Sequence, residues 1–347
     1  MKAVTTAAPL PDAPLPDAMP KNWVDRFAPA GLRPWLKIGR FDRPTGIWLL
    51  MLPGWQGIAL ADAMEHRGPD LGLMGLVLLG AALMRAAGCA YNDIVDRDID
   101  AKVARTALRP IPAGQISVKQ AWAFVIACCL ASLVILISLP PTAVMLGVGS
   151  LALVAAYPFM KRITWWPQAW LGLTFNWGAL LGFAAATGAG PQFWRGMAPY
   201  ILAHHDWPFL MRAVADSALK WPAVLLYASG LFWTLGYDTI YAIQDLEDDA
   251  LAGVKSSARR LGEHAPLAIL GFYLTSLALL IGMGAAARLG SVFFLGLIAY
   301  GVQLSSQARK VRIDDGARAL RLFKSNSWAG LILVAAIVAG TRILDLN

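Results

Sequence analysis

Charge is scarce along this chain. Only 15% of its 347 residues are Asp, Glu, Lys or Arg, against about 25% in a soluble globular domain. The deficit excludes a water-facing surface over most of the length. Cysteine is scarce too. Cys89, Cys128 and Cys129 are the only three, they lie in apolar stretches, and their spacing suits neither a disulfide framework nor a metal site, so they read as buried, inert thiols. No Gly-x-x-x-x-Gly-Lys-Ser/Thr loop occurs, which argues against a nucleotide-driven pump. No apolar stretch follows Lys2, and Asp12 and Asp17 precede any basic cluster. The start is therefore expected to be neither a secretory signal nor a transit peptide.

What the chain has in quantity is apolar sequence, 57% of its residues, with a mean hydropathy of +0.54. A membrane span needs about 20 largely apolar residues. Nine such stretches are expected, near 45–62, 71–91, 121–139, 141–158, 168–188, 222–243, 266–287, 290–306 and 326–343, with Pro140 and Pro141 making a tight turn between the third and fourth. Residues 1–34 form a separate N-terminal segment: a proline-rich flexible tail, then mixed apolar and basic residues from Trp23 to Ile38 that suit a helix at the membrane surface. Residues 35–347 form one polytopic domain. With the amino terminus inside, the inner segments hold 23 of the 30 Lys and Arg residues, the outer ones six, and Arg85 lies within a span. That asymmetry orients the chain, with those segments on the cytoplasmic face of a bacterial inner membrane. The net charge of +8 follows from the same topology and attraction to anionic lipid, with no case for nucleic acid.

Against this background, YNDIVDRDID (91–100) places four aspartates and an asparagine at the end of the second span. Asn92, Asp96 and Asp100 recur at i, i+4 and i+8, so a continuing helix puts them on one face. Like charges at that spacing repel, and something positive must compensate. A second cluster, YAIQDLEDDA (241–250), ends the sixth span on the same side, with Asp245 and Asp249 again four apart. A pseudo-repeated bundle would bring the two face to face. One such cluster alone reads equally well as a solvated loop; two matched clusters at span ends favour a hard-oxygen site suited to Mg²⁺ and substrate phosphate. Cations accompany them: Arg97, Lys102, Arg105 and Arg109, then Lys161 and Arg162, then Lys255. A cation-coupled transporter is the rival reading. Its ion sites would be expected near the bilayer midplane, whereas these lie at span ends beside strong cations.

NDIVDRDID with VARTALRPIPAG (103–114) resembles the first signature of the UbiA-type membrane prenyltransferases. DTIYAIQDLEDDALAGVKSSA (238–258) is similar to their second. RFDRPTGIWLLMLPGW (40–55) and YPFMKRITWWPQAWLG (157–172) resemble the branch that acts on 4-hydroxybenzoate. The resemblance implies an all-α membrane protein with nine transmembrane helices around a central cavity and a cytoplasmic cap over the two Asp-rich motifs. It implies transfer of a polyprenyl group from a polyprenyl diphosphate to position 3 of 4-hydroxybenzoate, an early step of ubiquinone formation. Asn92, Asp96 and Asp100, with Asp245 and Asp249, would hold Mg²⁺. Arg162 and Arg97 would assist catalysis, and Asp245 or the leaving diphosphate would take the ring proton. Arg43 would bind the aromatic carboxylate, with Arg97 as the alternative, while Lys161, Lys102, Arg105, Lys255 and Tyr241 complete the substrate contacts. Other aromatic acceptors, naphthoate, homogentisate or haem, stay open within the same class.

Three further expectations concern single places. Arg85 lies seven residues before Asn92 and should share its face, two turns deeper, lining the cavity rather than facing lipid. Trp48, Trp55, Phe175 and Trp177 are candidates for the cavity wall, with plain packing the commoner role of such residues. The long outer segment 189–221 carries His204, His205 and Asp206, which read as an exposed turn rather than a zinc site, and Trp194 and Trp207, which suit an interfacial helix.

Overall fold

The computed structural model describes residues 22–101, 106–188, 199, 203–206, 208–209, 212, 220–246, 250 and 253–341. Among them every regular element is a helix. The long ones are α3 (Thr45–Met64), α4 (Leu71–Asp100), α5 (Val118–Ile137), α6 (Pro141–Ile163), α7 (Pro167–Thr187), α8 (Trp221–Ile243), α10 (Ala265–Ala286) and α11 (Ser291–Lys310); shorter ones are α1 (Trp23–Phe27), α2 (Arg33–Ile38), α9 (Ser257–Leu261), α12 (Gly316–Lys324) and α13 (Asn326–Ala339).

Among the described residues eight helical stretches are long and apolar enough to cross a membrane. The chain is a multi-pass membrane protein, but the expected count of nine is not reached on this measure. The stretch near 222–243 does form a helix, the 23-residue α8; Trp221, Tyr227, Trp233, Tyr237 and Asp238 dilute its apolarity. The last expected span is also altered. α13 has only 14 residues and reaches spanning length together with α12, as Gly316–Ala339. The turn between α5 and α6 is as expected: Pro140 caps α6 and Pro141 opens it, where a missing N–H costs nothing.

Clustering of contacts divides the chain into two units, residues 1–46 with 83–131, and residues 47–82 with 132–347. In the first unit the expected surface helix over 23–38 is two short helices. Ala28 is extended ahead of Pro29, which ends α1, and a 3-10 turn at Ala30–Leu32 leads into α2. The pair is tied down by Lys37 Nζ on Asp25 at 2.8 Å and by the Trp23 indole N–H donating to the Phe41 carbonyl at 2.7 Å. Ile38, Ala90, Ile94, Ile111, Ile116 and Ala121 form its core.

In the second unit α3 is the most enclosed span, with 78% of its apolar window buried. Small residues allow it to cross α7 at backbone distance: a Cβ at Gly57 would run into the Ala179 carbonyl, and one at Gly182 into the Gly54 carbonyl. Lipid tails offer no hydrophobic drive to pair helices, so such close crossings supply the packing instead. At the C-terminal end of α3, Arg67 joins buried Asp62, at 2.8 Å, to the Ala186 carbonyl of α7, at 2.9 Å. α8 packs beside α7 and α10, with Asn176 Nδ2 donating to Thr234 Oγ1 at 2.8 Å and Ser229 donating to the Ser276 carbonyl at 3.0 Å. By contrast α5 and α6 leave Ile126, Leu130, Val134, Val148 and Leu151 exposed, as lipid-facing helices do.

Candidate active site

The two acidic motifs belong to different units. The first ends α4. The helix runs unbroken through Asp100, so Asn92, Asp96 and Asp100 share a face, with Asp96 1% and Asp100 6% exposed. The compensating charge comes from an arrangement that spacing alone did not reveal. Asp93, fully buried, receives Arg40 Nη2 on both oxygens at 2.6 and 2.7 Å. Arg109 Nη1 then bridges Asp93 Oδ1, at 3.2 Å, and Asp100 Oδ2, at 2.9 Å. Arg40 adopts φ 60° to make its contact, a left-handed backbone that costs a non-glycine residue and that the ion pair sustains. Thr106 Oγ1 caps the helix end by donating to the Asp100 carbonyl at 2.8 Å.

The other cations of this motif are placed differently. Arg97 is exposed and lies 3.6 Å from Asp98, so it turns away from the Asp96 and Asp100 carboxylates. Lys102 and Arg105 lie outside the described residues. Arg43 stands against buried Asp42, at 3.2 Å. Arg85 meets the first turn of α3: a Cβ on Gly46 would sit 2.6 Å from its Nε. Glycine there makes room for the guanidinium, which faces protein.

The second motif begins where α8 ends. Gln244 and Asp245 continue into a tightened turn, their N–H groups donating to the Tyr241 and Ala242 carbonyls at 3.2 and 3.3 Å. Asp245 is buried, at 9% exposure; Asp249 lies outside the described residues. Tyr241 stacks on Phe323 of α12, ring centres 4.6 Å apart. The structure also gathers two cation segments distant in sequence. The Lys255 N–H donates to the Lys161 carbonyl at 3.0 Å, and Lys255 Nζ donates to the Ile163 carbonyl at 3.1 Å. Ser257 fixes this strand of loop, through Gln168 Oε1 at 3.0 Å and Thr239 at 2.7 Å. Arg162 is exposed, its guanidinium 6.0 Å from the Phe159 ring.

The aromatic wall candidates make the following contacts. The Trp55 and Trp177 indoles donate to the Met74 and Leu146 carbonyls, each at 2.8 Å, tying α3 to α4 and α7 to α6. Phe175 is in the core, and Trp48 is partly exposed, edge-on to Trp55. Cys89 and Cys128 are buried and Cys129 partly so, all as free thiols. His204 and His205 are exposed, and Asp206 accepts the Phe209 N–H at 3.2 Å. Trp194 and Trp207 lie outside the described residues.

Among the described residues no three His, Cys, Asp or Glu side chains converge as a metal cage. The donor chemistry nevertheless fits a hard divalent cation: an amide and two carboxylates on one face of α4, and a carboxylate just past the end of α8. Both sets stand at helix C-termini, where the macrodipole adds about half a negative charge. A carboxylate there is disfavoured unless a cation shares the place, and Mg²⁺ accepts one or two such ligands with water and phosphate filling its remaining positions.

Helices long and apolar enough to cross a membrane, with carboxylates at the end of α4 and just past the end of α8, define the class of a helical multi-pass membrane protein. The chain belongs to the UbiA prenyltransferase family, whose pattern matches residues 50–331. It is 41% identical over 319 residues to the mitochondrial 4-hydroxybenzoate polyprenyltransferase of Arabidopsis thaliana, covering 92% of this chain and 71% of that one. The Caenorhabditis elegans protein of the same description is 40% identical, over 92% and 81%, and that of Homo sapiens 41%, over 90% and 76%. Among solved structures, the apo form of a UbiA homolog from Aeropyrum pernix K1 superimposes with a TM-score of 0.65 at 27% identity, over 84% of this chain and 97% of that one. A UbiA homolog from Archaeoglobus fulgidus bound to GPP and Mg²⁺ gives 0.60 at 17% identity, over 89% and 99%, a likeness of fold.

Proposed function

We propose that this chain transfers a polyprenyl group from polyprenyl diphosphate to position 3 of 4-hydroxybenzoate, in the formation of ubiquinone. The observation that carries the reading is the likeness, near 41% over nine-tenths of the chain, to relatives bearing that activity in their names. The acidic motifs and gathered cations are the groups such a reaction uses.

Asn92, Asp96 and Asp100 would hold one Mg²⁺, and Asp245 with Asp249 a second. Bound there, the metal supplies positive charge for the diphosphate as its bond to the allylic carbon breaks. The bond electrons leave with the diphosphate, and a new carbon–carbon bond forms at the ring position beside the hydroxyl. The ring proton then goes to Asp245 or the departing diphosphate, restoring aromaticity. Lys161, Arg162 and Lys255, with Lys102 and Arg105, supply cationic donors where charge develops on the leaving group. Arg43, oriented by Asp42, takes the carboxylate of the acceptor, and the apolar bundle keeps water from the allylic cation. Arg97, turned toward Asp98, has the weakest claim of the residues proposed. We place the Lys- and Arg-rich face, and with it the active site, on the cytoplasmic side of a bacterial inner membrane, on the strength of the 23-to-six split.

Membranes containing the chain, given a long-chain prenyl diphosphate and Mg²⁺, should prenylate 4-hydroxybenzoate in preference to naphthoate or homogentisate. Product with another acceptor alone would keep the family and overturn the substrate.

A further inference from the structure

Asp245 stands where a helix gives least support. The last regular turn of α8 closes at Ile243, and the next two N–H groups reach back only three residues, at 3.2 and 3.3 Å. The carboxylate therefore follows a tightened turn at the negative end of the helix dipole. Packing on the last turns of α8 bears on where that turn places it.

Trp233, Tyr237 and Tyr241 recur every fourth residue and form one stripe along α8, and Asp245 follows Tyr241 across the tightened turn that ends the helix. That stripe is covered by α12 and the start of α13. The Trp233 indole donates to Asn326 Oδ1 at 2.9 Å. Phe323 lies 5.9 Å from the Tyr237 ring and 4.6 Å from the Tyr241 ring. A Cβ on Gly316 would come 3.2 Å from Gln244 Cα. The contacts climb the stripe turn by turn as far as Gln244, the neighbour of Asp245. The cover is itself anchored. Asp315 accepts the Arg318 N–H at 2.8 Å at the start of α12. At its other end Gln307 of α11 holds Ser325 Oγ and Asn326 Nδ2, each at 3.0 Å. Phe323 and Tyr241 are only part-buried, so their stack is more than the filling of a closed core.

We infer that Phe323 is a positioning residue for the second aspartate motif, acting through Tyr241 to hold Asp245 in register for the metal–diphosphate; this rests on the prenyl-transfer reading. Offset or tilted ring pairs hold a defined geometry that an aliphatic side chain does not, and a small misplacement of a ligand is costly at such a site. The test measures binding of an unreactive prenyl thiolodiphosphate with Mg²⁺ to purified wild type, Phe323→Leu, Phe323→Ala and Phe323→Tyr, with thermal unfolding of each. Phe323→Leu keeps the apolar volume and should weaken binding about tenfold, the loosening of one ring pair, with unfolding close to wild type; Phe323→Tyr should restore affinity. Wild-type affinity in both Phe323→Leu and Phe323→Ala would overturn the inference. So would affinity that falls only in step with unfolding temperature across all three variants, which would make Phe323 a packing residue. Failure of the wild type to bind the probe would instead overturn the prenyl-transfer reading beneath it.

Discussion

Arg109 reaches Asp100 at 2.9 Å with the same nitrogen that touches Asp93 at 3.2 Å. One guanidinium therefore joins a residue proposed to hold metal to a buried carboxylate that has no such role. Removing one partner of a buried ion pair strands the other charge, at a cost of about 3–5 kcal/mol. Arg109→Gln should lower the unfolding temperature and raise the Mg²⁺ concentration needed for half-maximal prenyl transfer. Arg109→Lys, a point charge without the fork, should recover part of the stability and less of the Mg²⁺ dependence. Unchanged melting and unchanged Mg²⁺ titration in Arg109→Gln would remove the bridge from the account.

Asp245→Asn keeps the shape of the side chain and removes its charge. Asp96→Ala and Asp249→Ala remove ligands outright. All three should lose turnover by about a hundredfold or more, the scale of losing a charged group that acts on the transition state, while membrane insertion and detergent extraction stay normal. Loss of the folded protein instead would make these carboxylates structural.

The crossing of α3 and α7 makes a separate prediction about stability. A Cβ at Gly57 meets backbone, the Ala179 carbonyl and the Phe183 N–H, which cannot swing aside as a side-chain tip can. Gly57→Ala should destabilise the protein by about 1–3 kcal/mol, the cost of overpacking a tight contact, read as a lower unfolding temperature in detergent. Gly68→Ala, where nothing lies within 4 Å of the added carbon, should melt like wild type.

Asp25 gives a pH dependence outside the spans. Burial alone would raise its carboxyl, but hydrogen bonds from Lys37 and Asn22 and the charges of Lys37 and Arg33 together hold it below its ordinary 3.8. A folded value below the unfolded one means the contact contributes fully above pH 3.8 and is lost as pH falls through the folded value. Docking of α1, followed by proteolysis near Trp23, should hold at neutral pH and weaken below about pH 4. Asp25→Asn should show the weakened docking at neutral pH and little further change on acidification.

Much of this was legible in the chain. Apolar run length located the long helices, Pro140 and Pro141 marked a turn, and the i, i+4, i+8 spacing of Asn92, Asp96 and Asp100 survived because α4 continues through Asp100. What hydropathy could not read was side-chain pairing across distance. Arg40 and Asp93 are 53 residues apart, and no local period links them; Arg40 looked like one more positive-inside residue and Asp93 like a member of the acidic run. Phe323 was hidden for the same reason. It lies in a segment that reads as a basic loop before the last span, where α12 forms and returns to the stripe above Asp245. The break between α1 and α2 was legible in principle, since Pro29 forbids a helical Ala28, but the mixed apolar and basic pattern outweighed it.

The central claim is that the carboxylates serve a metal and the metal serves a diphosphate. The most direct measurement is prenyl transfer to 4-hydroxybenzoate by membranes containing this chain, with Mg²⁺, with EDTA, and with Mg²⁺ restored after EDTA. The account predicts a prenylated product that disappears with EDTA and returns with Mg²⁺. Product formation that persists in EDTA, or a prenyl diphosphate left unconsumed under all three conditions, would contradict it.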